Sequence, residues 1–379
     1  MQKTYYIHTY GCQMNVHESE QLAGMLFQRG YVATDKPEEC DVMIFNTCCV
    51  RETAETKILG NLGIAKKMKE KKPNMIIAVC GCMAQKEGNA QMLKKRCPFI
   101  NIIFGTHNLS EFGSYLDSFN GKRILDIWDK EKEISENIPV LRTSGVNGWV
   151  NIMYGCNNFC SYCIIPYLRG RSRSRNLDSI YNEAKDLVGK THEIVITGIN
   201  VSAYGKDIGL TLVDLIKRLA DIPMRKRFGS LECTVINDEL LQAMKDSGFC
   251  GSFHLSMQSG CDSVLKKMNR HYTSSEFLQI IALIRKYYPY AGITTDVITG
   301  FPEESDDEFL QTYETCKKAG FLHMHVFPYS EREGTRASKM KQVDKSIRVE
   351  RADRLIKLSE QMKNTFLSSQ ISGIHEVFI

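Results

Sequence analysis

The sequence predicts an α/β protein of two parts: an N-terminal parallel α/β sheet domain and a second unit of six βα repeats forming an open or partial barrel. Three observations predict it. Short apolar runs of strand length alternate with polar or helical stretches along most of the chain, the pattern of a parallel sheet. Three cysteines fall just after the first three of these runs. A cysteine-rich loop follows the strand that opens the second half. With 379 residues the chain has room for two or three domains. Its 43% hydrophobic and 25% charged residues are ordinary for a globular protein and exclude disorder and collagen-like structure. No run of about 18 apolar residues occurs, and the first residues have no apolar stretch of signal-peptide length. The formal net charge of +5 permits a nucleic-acid partner without arguing for one.

The first three strands are read at residues 5–9, 41–46 and 75–79. They end at Gly11-Cys12, Thr47-Cys48 and Gly81-Cys82. A fourth, at 101–104, ends at Gly105-Thr106-His107. In a parallel sheet the carboxyl ends of the strands share one edge, where ligands bind. Cys12, Cys48 and Cys82 are therefore expected to converge as a three-thiolate site. The plainer reading is that each fills core, because cysteine is among the most buried residue types. Cys49 and Cys80 read as packing or as neighbours of the site. Cys40, Cys97, Cys233, Cys250, Cys261 and Cys316 have no spacing partner and read as structural. Residues 117–145 are polar, of mixed charge and without periodicity, and read as a linker.

A strand at 149–153 opens the second unit and runs into Cys156-Asn157-Asn158-Phe159-Cys160-Ser161-Tyr162-Cys163. This CxxxCxxC spacing lets each thiolate reach a different iron of one cubane and leaves the fourth iron open to a small molecule. Zinc fits less well, because structural zinc takes four ligands and no second pair lies nearby. Further strands are read at 193–197, 228–231, 252–256, 293–299 and 323–327. The helices between them are read at 178–188, 210–220, 238–247, 274–287 and 306–319. The carboxyl ends of such strands carry the chemistry of a barrel. No GxxxxGK[ST] occurs, which argues against an NTPase. Residues 344–366 read as a solvated, charge-alternating helix. Residues 374–379 read as a strand with nothing to pair with, the opening of a further β-domain.

Taken together the motifs are specific. They are Thr9-Tyr10-Gly11-Cys12-Gln13-Met14-Asn15, Asn46-Thr47-Cys48, Cys80-Gly81-Cys82-Met83-Ala84-Gln85, and the loop from Gly155 to Tyr167 followed by Arg169-Gly170-Arg171-Ser172-Arg173-Ser174-Arg175. From residue 3 to about 370 the chain resembles the radical S-adenosylmethionine tRNA methylthiotransferases. The resemblance implies that Cys156, Cys160 and Cys163 hold a 4Fe–4S cluster. Its open iron would bind S-adenosylmethionine, and one-electron reduction would yield a 5′-deoxyadenosyl radical. Cys12, Cys48 and Cys82 would hold an auxiliary 4Fe–4S cluster carrying the sulfur to be transferred. A second S-adenosylmethionine would methylate that sulfur. The radical would abstract hydrogen from carbon 2 of an N6-modified adenosine next to the anticodon, where the methylthio group is inserted. No side chain is assigned as an acid or base, since the cofactors carry the chemistry.

The implied domains are a methylthiotransferase domain at 1–116, a linker at 117–145, a radical S-adenosylmethionine domain at 146–335, a helical tail at 336–371 and, at 372–379, the first strand of a largely absent TRAM-like β-barrel. Tyr162, Gly198, Asn200, Glu232, Gln258 and Asp296 are candidates for contacts to S-adenosylmethionine. Each could equally be an ordinary surface or supporting polar residue. Arg169, Arg171, Arg173 and Arg175 put four charges beside the cluster loop and are candidates for RNA phosphates or bases. Lys66, Lys67, Lys69, Lys71 and Lys72 read as solvated. The implied partners are tRNA and a one-electron reductant such as flavodoxin or ferredoxin, with no membrane. The chain is expected to be a cytoplasmic monomer.

Two substrates stay open. The first half is similar to the branch acting on N6-isopentenyladenosine, through Gly11 to Asn15, Asn46 to Glu52, Cys80 to Gln85 and Phe104 to Leu109. The second half is similar to the branch acting on N6-threonylcarbamoyladenosine, through Gly170 to Arg175, Ser230-Leu231-Glu232, His254 to Cys261 and His325 to Ser330. Isopentenyladenosine is favoured, because the longest continuous match is N-terminal. A branch that modifies an aspartate of a ribosomal protein is disfavoured by Gln13-Met14. Outside the enzyme class, the rival is a non-catalytic metal- or RNA-binding protein.

Overall fold

The computed structural model describes residues 2–49, 52–130, 133–371 and 373. The chain forms two compact units. The first contains Met1–Asn157 and Ile165–Asn200, and the second Asn158–Ile164 and Val201–Ile379.

The first unit is built on a six-stranded parallel sheet of β1 (Thr4–Thr9), β2 (Val32–Ala33), β3 (Val42–Thr47), β4 (Ile76–Gly81), β5 (Ile102–Phe104) and β6 (Ile124–Asp126). Their spatial order is β2-β1-β3-β4-β5-β6. Every residue of β3 is buried, as expected for a central parallel strand covered on both faces. Period-two alternation sorts the side chains. Met43, Phe45, Ile77 and Val79 face one core. Val42, Ile44, Ala78 and Ile102 face the other. The first core is closed by α2 (Glu52–Lys71) and α4 (Asn89–Arg96), and the second by α1 (Gln13–Phe27) and α5 (Phe112–Ser118). The one-turn α3 (Cys82–Gln85) starts where β4 ends. The stretch read as a linker instead supplies β6, which pairs with β5, and Ile138 and Leu141, which pack on the second core. A three-residue strand is too short to show a period.

The rest of this unit comprises β7 (Asn147–Asn151), a short antiparallel ladder of β8 (Met153–Tyr154) with β9 (Arg173–Ser174), α6 (Ile165–Arg169), α7 (Leu177–Lys185) and β10 (Glu193–Thr197), which pairs parallel with β7. A buried ionic knot joins these elements to α1. His17 Nε2 lies 2.9 Å from Glu183 Oε1. Arg142 donates to Glu183 at 2.8 Å and to Glu20 at 2.9 Å. Arg175 donates to Glu183 Oε2 at 2.6 Å.

In the second unit β11 (Arg225–Phe228) is linked to the β12 segment by isolated parallel bridges, and β12 (Ser252–Gln258), β13 (Gly292–Thr299) and β14 (His323–Pro328) form a parallel sheet. The helices are α8 (Leu212–Arg218), α9 (Asp238–Asp246), α10 (Asp262–Lys267), α11 (Ser274–Tyr287), α12 (Asp306–Ala319) and α13 (Lys345–Gln370). Thr211 with Asp214, Thr273 with Glu276 and Ser305 with Glu308 form capping boxes that fix where α8, α11 and α12 begin. Each such cap contributes about 1 kcal/mol. All six strands expected for a partial barrel are present, β7 and β10 in the first unit and the other four in the second. The described strands do not close into a barrel. The tail helix is not solvated all round, because α13 buries Arg351, Ala352, Leu355, Leu358 and Ser359. Arg351 pairs with Glu304 at 2.7 Å and Asp306 at 2.6 Å. The strand expected at 374–379 lies outside the described residues.

Candidate functional site

In the first unit, β1, β3 and β4 are adjacent, and their carboxyl ends carry Cys12, Cys48 and Cys82 to one edge of the sheet. Cys12 caps α1, and its carbonyl accepts from the amides of Asn15 (3.0 Å) and Val16 (3.3 Å). Cys82 is the first residue of α3. Cysteines at helix starts sit where the partial positive charge favours the thiolate.

Two glycines permit this closeness. Gly81 has φ +90°, and a Cβ there would lie 2.4 Å from the carbonyl oxygen of Thr47. Gly11 has φ +107°, and its Cβ would lie 2.7 Å from Cys48 Sγ. Asn15 donates to Asn46 Oδ1 and to the Thr47 carbonyl, both at 3.1 Å, and Asn46 returns a bond to the Asn15 carbonyl at 2.9 Å. This exchange ties the start of α1 to the end of β3.

The thiols of Cys82 and Cys12 differ. A hydrogen bond from Cys49 holds the Cys82 thiol below its usual range, against burial and with help from the nearby Arg169 guanidinium. Burial pushes the Cys12 thiol up, opposed by Arg169. Cys80 is buried in the second core of this unit and its thiol is raised by burial, so it does not join the site. Among the described residues no three His, Cys, Asp or Glu side chains converge tightly enough for a single metal ion. A cubane instead spreads three thiolates over three irons.

The arginine run divides. Arg169 ends α6, is 3% exposed and clasps Glu18 through both Nη atoms, with Nη2–Oε2 at 3.0 Å. Its Nε donates to Cys82 Sγ at 3.3 Å. Arg175 is 5% exposed and is held by Glu183, Glu136 and the Asn151 carbonyl. The expectation of RNA contact is corrected for these two, because their guanidiniums are buried and committed to carboxylates. Arg171 is exposed. Arg173 is half-buried over the Tyr154 ring, 5.9 Å from its centroid. Of the lysine cluster, Lys66, Lys67 and Lys71 are exposed, whereas Lys69 is half-buried and donates to the Met75 carbonyl at 2.7 Å.

The cluster loop passes from the first unit to the second after Asn157. Within the first unit, the Cys156 amide donates to the Gly170 carbonyl at 3.1 Å, and Asn200 Nδ2 approaches Cys156 Sγ at 3.7 Å. Gly198 follows β10.

Within the second unit, the segment after α10 holds residues 158–163. Asn269 donates to the carbonyls of Asn158 (2.9 Å) and Phe159 (3.3 Å), and the Ser161 amide donates to the Met268 carbonyl at 3.0 Å. Phe159 is thereby kept at φ +47°, a conformation most side chains avoid. Arg270, its side chain 6% exposed, donates to Glu232 at 3.0 Å and approaches Cys160 Sγ at 3.6 Å. Glu232 also accepts from Asn158 at 2.5 Å. Tyr162 packs against Cys261, Val264, Met268 and Phe301.

Alternation along β12 and β13 leaves His254, Ser256, Gln258, Thr294 and Asp296 on the less buried face. His254 bridges Thr294 at 2.9 Å and Asp296 at 3.2 Å. Gln258 sits at a register shift with φ +66°. Non-glycine residues in such conformations cluster at functional sites. Glu18, Asn269 and Arg270 are the neighbours that sequence reasoning left unassigned, whereas Cys49 takes the place beside the site that is one of its two readings.

Residues 4–105 match the Uncharacterized protein family UPF0004, and residues 150–316 match the Radical SAM superfamily. The chain is 42% identical to the tRNA-2-methylthio-N6-dimethylallyladenosine synthase of Acetivibrio thermocellus, over 99% of this chain and 81% of that protein. It is 43% identical to that of Clostridium botulinum (99% and 85%) and 45% identical to that of Clostridium beijerinckii (94% and 80%). These matches run through both halves of the chain. Among solved structures, the radical S-adenosylmethionine methyltransferase TsrM of Kitasatospora setae superposes with a TM-score of 0.63, covering 89% of this chain and 77% of that one at 12% identity. The cobalamin-dependent radical enzyme OxsB gives a TM-score of 0.56 over 96% of this chain and 56% of its own, also at 12% identity. At such identities the likeness is one of fold.

Proposed function

The chain belongs to the family of tRNA-2-methylthio-N6-dimethylallyladenosine synthases, and from that premise we propose that it transfers a methylthio group to carbon 2 of N6-dimethylallyladenosine in tRNA. One observation carries the proposal: identity of 42–45% to these synthases over at least 94% of the chain. The match spans both halves, so the likeness of the second half to the threonylcarbamoyl branch does not set the substrate.

The residues fit two clusters. Cys12, Cys48 and Cys82 lie at one sheet edge with a guanidinium at Cys82, and thiolates suit iron–sulfur centres. Cys156, Cys160 and Cys163 have the spacing of a second such site. Cys156, Cys160 and Cys163 would hold a cluster suited to supply one electron to S-adenosylmethionine, and Cys12, Cys48 and Cys82 one suited to carry the sulfur to be transferred.

The chain itself binds and orients. Glu232 and Arg270 neutralise each other beside Cys160. Asp296 and Gln258, with Tyr162, Gly198 and Asn200, are proposed to orient S-adenosylmethionine. Arg171, which is exposed, and Arg173, half-buried over Tyr154, are proposed to meet tRNA phosphates. No described helix is long and apolar enough to cross a membrane. A cytoplasmic monomer that takes electrons from flavodoxin or ferredoxin completes the proposal.

The test uses anaerobically reconstituted enzyme, a one-electron reductant and S-adenosylmethionine. It is offered tRNA bearing either N6-dimethylallyladenosine or N6-threonylcarbamoyladenosine. Nucleoside mass spectrometry should find the methylthio product from the first only. Product from the second alone would overturn the substrate, and product from neither would overturn the activity.

Gly11 gives a further prediction. In Gly11→Ala the new carbon would meet Cys48 at 2.6–2.7 Å in a backbone conformation L residues avoid. Iron content should fall from about eight to about four per chain, with S-adenosylmethionine cleavage retained. An unchanged iron content would show that Cys48 does not need that approach.

A further inference from the structure

Glu18 lies on α1, six residues after Cys12, and is 2% exposed. It holds both Nη atoms of Arg169, so the planar guanidinium has little freedom, and its third nitrogen, Nε, donates toward Cys82 Sγ at 3.3 Å. A buried cation normally needs a partner of opposite sign, and Glu18 supplies one. A donor to a ligand sulfur together with a fixed positive charge stabilises the more negative state of an iron–sulfur centre. We propose that Arg169, clamped by Glu18, is a positioning residue that raises the reduction potential of the cluster held by Cys12, Cys48 and Cys82.

The inference rests on the reading of those three cysteines as cluster ligands, and the experiment separates the two. The redox change is the gain of one electron by the cluster from a chemical one-electron donor such as dithionite. The bond is stronger to the sulfur of the more negative, reduced cluster than to that of the oxidised one, and about a tenfold change in the reduction equilibrium is expected from that difference. At a fixed poise, loss of the bond should leave the cluster about tenfold less reduced, a shift of ~59 mV to more negative potential for one electron.

The parent for the test is the full chain with Cys156, Cys160 and Cys163 changed to Ala, so that only the sheet-edge cluster is read. Its midpoint is measured by redox titration with electron paramagnetic resonance, alongside iron content. Arg169→Gln and Arg169→Lys are compared with it. The double variant Glu18→Gln/Arg169→Gln leaves no unpaired carboxylate and is read if Arg169→Gln does not fold. A negative shift in Arg169→Gln or the double variant, smaller in Arg169→Lys, is the expected result. A midpoint unchanged from the parent, with about four irons still bound, overturns the proposal. A parent that binds no cluster overturns instead the assignment of Cys12, Cys48 and Cys82. A merely structural role for Arg169 would lower cluster content without moving the midpoint of what remains.

Discussion

Changing Cys156, Cys160 and Cys163 together to Ala should abolish S-adenosylmethionine cleavage, whereas changing Cys12, Cys48 and Cys82 should leave cleavage intact and abolish methylthio transfer. The asymmetry follows from where the residues lie. The first set shares one loop, whose second part is held by Asn269, Met268 and Arg270. The second set lies on an edge formed by three strands of a separately built sheet. Removing three side chains from that edge leaves both cores of the sheet packed. The measurement is 5′-deoxyadenosine by chromatography for cleavage and methylthio nucleoside by mass spectrometry for transfer. Methylthio product from the sheet-edge triple variant would contradict the account.

The second large effect is on stability. Burial alone would raise the Glu183 carboxyl, but His17, Arg175 and Arg142 face it and hold it well below the usual carboxylate range. Glu183→Ala leaves Arg142 with Glu20, and Arg175 with Glu136, but removes the carboxylate that joins them to His17. Breaking a buried ion pair from one side costs about 3–5 kcal/mol, a large part of a domain's stability. The pH dependence has a definite sign. A carboxyl whose folded pKa is depressed contributes in full above its unfolded value, 4.5 here. That contribution is lost as the pH falls from there toward the folded value. Chemical denaturation should therefore show the full difference between parent and variant at neutral pH and a narrowing difference only below about pH 4.5. A difference under about 1 kcal/mol at neutral pH, the value of an exposed pair, would show that the knot is not buried in solution.

The strands and helices with strong signals were legible in the sequence. The apolar run at β3, the capping boxes at Thr273 and Ser305 and the cysteines after β1, β3 and β4 each have a local physical cause. The two- and three-residue strands β2 and β6 were not, because pairing with a neighbour makes them strands and no period can appear in so few residues. Among site residues, the legible ones have spacing or a motif. Arg169 and Arg171 look alike in a basic run, yet one is buried against Glu18 and the other is exposed. Only the tertiary structure decides between them. A signal for Glu18 did exist, since α1 is buried along nearly its whole length and His17, Glu18 and Glu20 are its ionisable residues, just before the apolar run 22–27. Charges there must be either exposed or paired, and the structure pairs all three. Arg270 offers no such signal. It follows the short α10 in a polar stretch that carries no motif or spacing.

Iron and acid-labile sulfide in the anaerobically reconstituted chain test most directly the claim that two separate thiolate triads each hold a cluster. The account predicts about eight irons per chain in the parent and about four in either triple cysteine variant. Two or fewer irons in the parent, zinc in their place, or loss of all iron when only one triad is removed would contradict it.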